Sequence, residues 1–281
     1  MPLTQFQRDL CRLIARNRIA QGEAYVAGGV ALSTVLRTAR ISRDLDLFHD
    51  THESLAKTFA ADLRLLRENQ YQVEVLHERP AYAEATVVKA DGNTVIQWAC
   101  DSAYRFFPLV EHPDIGLSLH PFDLATNKVL ALVGRAEARD WIDVIDCHRL
   151  LQPLGYLMWA ACGKDPSLSP AFILAEAART ARYTQVELAD LAFDGLTPDA
   201  QDLARQWREM LKQAQDIHGI LPPERAGCCV LGPDLELYTG SPPSLAQDLA
   251  ERKLIFHEGR IGGVWPTLLP QAPPPTCRRN V

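Results

Sequence analysis

Along the first 120 residues the hydrophobic pattern keeps changing period. Phe6, Leu10, Leu13 and Ile14 recur at spacings of three and four, which predicts a helix over residues 5–19. A short apolar run at 25–27 ends in Gly28-Gly29, and residues 30–36 read as helical. Residues 44–48, Asp-Leu-Asp-Leu-Phe, alternate with period two and predict a strand. Leu55, Phe59, Leu63 and Leu66 make one face of an amphipathic helix over 53–68. Strand-like segments follow at 72–76, 83–90 and 93–99, the last two joined by Asp91-Gly92-Asn93, a good hairpin turn.

From Pro121 the pattern is helical. Residues 122–135 and 139–151 predict two helices around a break at Gly134, and 154–162, 169–182, 184–192 and 197–216 continue in the same way. Ser169-Pro170 and Thr197-Pro198 fit helix N-terminal caps. Residues 219–243, rich in Pro and Gly, predict irregular chain; 245–252 predict a short helix, followed by a hairpin through Glu258-Gly259. The expected division is an α/β part over 1–120, a helical part over 121–265 that completes a cleft, and a Pro-rich tail over 266–281.

Composition narrows the class. The chain has 281 residues, 47% hydrophobic and 23% charged, which excludes a disordered chain, a collagen and a coiled-coil rod. The longest apolar stretch, 156–162, is far shorter than a membrane span, so no membrane association is expected. Arg8, Asp9 and Arg12 interrupt the N-terminus before any apolar signal core, and secretion by the usual route is not expected. Seven scattered cysteines form no CxxC pair, which speaks against a zinc ribbon or a disulfide framework and for a reducing cytoplasm. The net charge of −6 means that any contact with nucleic acid must use a local basic patch. Arg12, Arg16 and Arg18 crowd one helix end and are candidates for such a patch.

The stretch that carries chemistry is 25–49. On a strand, Asp44 and Asp46 point to one face, and two carboxylates so close repel each other unless a cation lies between them. Hard oxygen ligands with open positions for water and phosphate describe a magnesium site, with manganese as the alternative. Gly28-Gly29 at a strand-to-helix turn lets backbone approach a ligand, and the following helix N-terminus favours an anion such as a triphosphate. Ser42 adds a hydroxyl for phosphate. Downstream, Lys128 and Arg135 share a helix face, as do Asp140 and Asp143; an Arg139–Asp143 i, i+4 ion pair is the structural alternative. Gly163-Lys164-Asp165-Pro166 reads as a helix end followed by a turn.

These residues, in this order, resemble the polymerase β-type nucleotidyltransferases, and within them the AbiEii-like and MenT toxin nucleotidyltransferases. The pattern GGxAL followed by RxSxDLDL is matched by Gly28-Gly29-Val30-Ala31-Leu32 and Arg40-Ile41-Ser42-Arg43-Asp44-Leu45-Asp46-Leu47. The later Lys, Arg and RDxxD pattern is matched by Lys128, Arg135 and Arg139-Asp140-Trp141-Ile142-Asp143. The resemblance covers about residues 20–150 and implies an α+β fold: a mixed sheet with flanking helices, then a mainly helical domain. It implies transfer of a nucleoside monophosphate from an NTP to an acceptor, with Asp44, Asp46, Lys128 and Asp143 catalytic and Gly28, Gly29, Arg40, Ser42, Arg135 and Arg139 binding the nucleotide. It further implies an RNA acceptor, led by the tRNA 3′ end, a toxin role and an antitoxin partner.

Two departures stand out. The first motif carries Gly-Gly where many relatives carry Gly-Ser, and Gln97 stands where a third carboxylate is expected on a later strand, leaving Asp101 as the candidate third metal ligand. Two other readings therefore stay open: transfer to a small molecule or protein, and a catalytically lapsed binding module.

Overall fold

The computed structural model describes residues 3–21, 24–90, 92–179 and 183–267, with the side chains of 16–21 left aside. The sheet half is built from α1 (Gln5–Gln21), β1 (Tyr25–Ala27), α2 (Gly28–Leu36), β2 (Arg40–Ile41), β3 (Asp44–His49), α3 (His52–Glu68), β4 (Gln72–Arg79), β5 (Tyr82–Lys89), β6 (Gly92–Cys100), β7 (Tyr104–Arg105), β8 (Val110–His112) and β9 (Gly116–Ser118). The helical half holds α4 (Pro121–Arg135), α5 (Ala138–Leu150), α6 (Leu154–Ala161), α7 (Pro170–Arg179), α8 (Gln185–Ala189), β10 (Ala192–Phe193), α9 (Ala200–Ile220), β11 (Cys229–Leu231), α10 (Pro242–Ala250), β12 (Ile255–His257) and β13 (Arg260–Ile261). Single turns of 3₁₀ helix lie at Cys162–Lys164 and Pro223–Arg225.

A seven-stranded mixed sheet runs β4-β5-β6-β3-β1-β9-β8. β3 lies near its middle, parallel to β6 and antiparallel to β1. The alternation read in the sequence decides what each face meets. Leu45, Leu47, Ile96 and Trp98 point into the core, where the Trp98 ring meets Phe59 of α3 edge-on at 5.0 Å and its indole N–H donates to Asp62 at 2.9 Å. Burying each such side chain removes apolar surface worth about 2 kcal/mol, which holds α3 against the sheet and leaves the opposite face of β3 for polar groups. Apolar side chains of both halves join in one core, from Leu3 to Leu231, and β2 pairs with β10 across them.

Several local expectations are corrected. The break between α4 and α5 falls at Ala136, which takes the left-handed conformation at φ 52°, and not at Gly134, which stays inside α4 with open space beside it. Helix α9 starts from an Asp199 cap, whose carboxylate accepts from the Asp202 N–H at 2.8 Å, so Thr197 and Pro198 precede it. Ser169 does cap α7, accepting from the Phe172 N–H at 3.2 Å. The segment 219–243 contains the buried strand β11. No hairpin forms through Glu258-Gly259, because β12 pairs with β11 while β13 pairs with β7. His257, whose ring lies 2.8 Å from the Phe106 carbonyl, marks where the chain crosses between them. The expected turn at Asp91 and the tail beyond residue 267 lie outside the described residues, as do the side chains of Arg16 and Arg18. Among the described residues no helix is long and apolar enough to cross a membrane.

Candidate functional site

The floor of the site is the polar face of β3. Asp44, Asp46 and Phe48 lie half-buried on it, while Leu45, Leu47 and His49 point the other way. β1 places Ala27 opposite Asp46 and then turns into α2 at Gly28. The turn needs glycine on two counts. Gly28 has φ +64°, and a Cβ there would lie 1.8 Å from an Asp46 carboxylate oxygen. A Cβ on Gly29 would lie 2.6 Å from both the Arg40 guanidinium and the Ser42 hydroxyl. The space saved lets the Gly29 N–H reach the Asp46 carboxylate. Burial, with Asp44 beside it, pushes the Asp46 carboxyl up to about 6, against the pull of Lys128, Arg139 and the Gly29 N–H.

The facing wall is one stripe of α4: Leu124, Asn127, Lys128, Ala131 and Arg135, at helical spacing. Behind it runs a buried ion network. Arg40 holds Asp143 with both arms of its guanidinium, at 2.6 and 2.8 Å. Lys128 bridges Asp143 at 2.8 Å and Asp140 at 3.1 Å, and Arg135 grips Asp140 at 2.6 and 3.0 Å. Burial works against the Lys128 cation, but Asp143 and Asp140 outweigh it and raise its pKa above the ordinary value. Burial likewise opposes the Asp140 anion, yet Arg135 and Lys128 hold its carboxyl below the usual range. Arg40, Lys128 and Arg135 share Asp140 and Asp143, and Glu137 lies a further 3.9 Å from Arg135, so Lys128 and Arg135 are the cations this network turns toward the floor.

Floor and wall enclose a cavity of about 420 Å³ lined by Gly28, Gly29, Arg40, Ser42, Asp44, Asp46, Lys128, Arg135 and Arg139. Asp143 is absent from that lining; at 2% exposure it lies behind Arg40 and Lys128. The Arg139–Asp143 pair expected from spacing does not form, because Asp143 faces inward to Arg40 and Lys128 while Arg139 reaches Glu137 at 2.5 Å.

No protein-family model matches the chain, and no curated protein does either. Among solved structures, the nucleotidyltransferase toxin MenT4 from Mycobacterium tuberculosis superposes with a TM-score of 0.50 at 15% identity, over 78% of this chain and 83% of MenT4. JHP933 from Helicobacter pylori matches 77% of this chain and 94% of its own, with a TM-score of 0.47 and 16% identity. The chain has the nucleotidyltransferase fold.

Within this nucleotidyltransferase fold, Asp44, Asp46 and Asp101 all line the one cavity, with Asp44 and Asp46 on the same face of β3 and Asp101 apart from them beyond the end of β6. Parallel pairing sets Gln97 opposite Asp46, and Asp101 lies four residues further along, about 13 Å at strand rise. Its carboxylate accepts from the Ser102 N–H at 2.7 Å, closing a local turn at the far end of the cavity. Among the described residues no three His, Cys, Asp or Glu side chains gather into a metal-holding group. The two carboxylates of β3 are hard oxygen donors, one of them disfavoured as a lone anion, and this donor set fits magnesium or manganese.

Lys164, read from sequence as part of a turn, is a further lining residue of the nucleotidyltransferase fold. It ends the 3₁₀ turn at Cys162–Lys164, with its ammonium on Asp123, at 2.8 Å from the carboxylate and 3.2 Å from the carbonyl, and on the Asn127 side-chain oxygen at 2.7 Å. The signal that marks it is buried Asp123 with half-buried Asn127 one turn on along α4, which asks for a cation from elsewhere.

Proposed function

We propose that the protein transfers a nucleoside monophosphate from a nucleoside triphosphate to an acceptor hydroxyl. One observation carries this reading: paired carboxylates on β3, a glycine turn at a helix N-terminus, and the Lys128–Arg135 wall all open on one cavity. Asp44 and Asp46, on one face of β3, would hold a divalent cation, magnesium or manganese. When bound, that ion supplies positive charge against phosphate oxygens and eases ionisation of the acceptor hydroxyl.

The chain's own groups do the rest. Gly28 and Gly29 admit the triphosphate to the N-terminus of α2, whose peptide dipoles favour an anion. Arg135 and Arg139 neutralise the terminal phosphates, and Ser42 donates a hydroxyl proton to them. Lys128 spends two hydrogen bonds on Asp140 and Asp143, leaving its remaining N–H for the charge that develops on the departing group. Asp143 positions Arg40 and Lys128 from behind. The acceptor hydroxyl gives its proton up to solvent as its oxygen attacks the α-phosphorus, the bridging α–β P–O bond breaks, and pyrophosphate leaves with its electron pair.

The acceptor we infer is RNA, led by the tRNA 3′ end, and the role that of a toxin held by an antitoxin. The sequence resemblance supports it, and MenT4, which shares the fold, is described as a nucleotidyltransferase toxin. The net charge of −6 favours a second reading, in which the acceptor is a small molecule or a protein. Incubation with magnesium, each α-labelled triphosphate in turn and total tRNA tests the first reading. Label on tRNA, absent with Asp46→Asn, is the expected result; hydrolysis or self-labelling without tRNA labelling supports the second.

A further inference from the structure

The two ends of the cavity differ in what they leave free for a ligand. Along α4 the lining stripe runs from Leu124 to Arg135, about 16 Å at helical rise, which is long enough for an extended nucleotide. At the Arg135 end, Lys128, Arg135 and Arg139 line the cavity and the N-terminus of α2 adds positive potential. At the Leu124 end the lining includes Phe48 and Tyr104, half-buried aromatic rings of the kind on which a planar ring stacks, over the buried Tyr25 and Leu119.

The cation at that second end is fully committed. The Lys164 ammonium has three protons and three acceptors: the Asp123 carboxylate, the Asp123 carbonyl and the Asn127 side-chain oxygen. Asp123 is itself fixed, since its two oxygens accept from the Phe106 and Phe107 N–H groups at 2.9 and 3.0 Å. With no proton to spare, Lys164 offers nothing to a phosphate.

It does decide what Asn127 offers. An ammonium only donates, so the Asn127 atom that faces it must be the oxygen, and the amide N–H₂ is the part left over. Asn127 also lines the cavity. We propose that this end is the nucleoside-reading subsite, in which the Asn127 N–H₂ donates to a lone pair on the base, a ring nitrogen or carbonyl oxygen, and Lys164 is the positioning residue that fixes the amide's orientation. The inference rests on the nucleotidyl-transfer reading and adds which residues discriminate among the four triphosphates.

The two residues separate by experiment. Asn127→Asp replaces the donor by an acceptor while keeping shape and leaving Lys164 its partners. Lys164→Met frees the Asn127 amide to turn either way. Binding of ATP, GTP, CTP and UTP with magnesium is measured by calorimetry on the full chain. The parent should rank the four. Asn127→Asp should change the ratio between tightest and weakest by at least about tenfold, with a new order, equal to 1.4 kcal/mol. Lys164→Met should flatten the ranking without inverting it. Because that change strips buried Asp123 of its cation, its folding is checked by circular dichroism, and Asn127→Asp decides the matter if it unfolds. Ratios within twofold of the parent in Asn127→Asp would overturn the assignment. So would an equal loss for all four nucleotides and for inorganic tripolyphosphate, which has no base to read. Failure of every triphosphate to bind the parent would instead sink the nucleotidyl-transfer reading beneath it.

Discussion

Lys128 and Lys164 line the same cavity, and each side chain is 8% exposed, yet their surroundings shift the two ammonium groups in opposite directions. Lys128 lies between Asp140 and Asp143, and the two carboxylates outweigh burial, so its ammonium is held more firmly charged than usual. At Lys164 burial outweighs the carboxylates of Asp123 and Asp101 and lowers its pKa. The count of donors sharpens the contrast. Lys128 has two acceptors for three protons, whereas Lys164 has three for three. A buried lysine thus acts on a ligand or on its own neighbours according to how many acceptors the fold supplies, and exposure alone does not distinguish the two cases.

The largest expected effect comes from removing the carboxylate that the first network cannot spare. Asp143→Ala leaves Arg40 and Lys128 buried together, and should cost about 3–5 kcal/mol, read from urea unfolding. A loss below about 1 kcal/mol would show that the network is not what holds α5 to the sheet half. Next, Lys128→Met should lower turnover at least about a hundredfold, some 2.7 kcal/mol of transition-state stabilisation. Its two salt bridges mean that stability falls as well, contrary to what an exposed helix position would allow. Lys164→Met should show its main cost in unfolding. Equal profiles for the two lysine variants would erase the distinction drawn between them.

The pH dependence of binding follows from Asp46, whose carboxyl is raised to about 6 by burial. A raised acid keeps its proton longer in the folded state, so this group favours the apo fold below its unfolded pKa and loses that contribution as pH rises toward 6. Cation binding needs the anion and runs the other way. Magnesium–triphosphate affinity should weaken about tenfold from pH 7 to pH 5, with a midpoint near 6. A flat profile in calorimetry would remove Asp46 from the cation site. The smallest effect is expected at the far end: Asp101→Asn keeps the turn to the Ser102 N–H and should leave turnover within about threefold, since Asn makes such turns nearly as well as Asp. A hundredfold loss would return Asp101 to the chemistry.

Which parts of this were legible in the sequence follows from chain distance. Asp44, Asp46, Gly28 and Gly29 belong to one strand–turn–helix stretch, where period two and the glycine turn already specify faces. Lys128, Arg135 and Asp140 lie on neighbouring helices whose spacing brings them together. Arg40 meets Asp143 across 103 positions, and Lys164 meets Asn127 across 37, contacts that no local period encodes. The place of Asp101 is hidden for a related reason: counting along β6 gives its order but not its distance from Asp46, which only the pairing register supplies. The break at Ala136 was hidden because glycine is the usual breaker and Gly134 sits two positions away.

Cation and triphosphate binding depend most directly on the carboxylate pair of β3. Calorimetric titration of the full chain with each of the four triphosphates, with and without magnesium, tests it in one measurement when repeated on Asp44→Asn and Asp46→Asn. The expected result is binding of at least one triphosphate that needs the metal in the parent, and that loses its metal dependence in both variants. Metal-independent binding of equal strength in all three proteins, or no binding of any triphosphate to the parent, would contradict it.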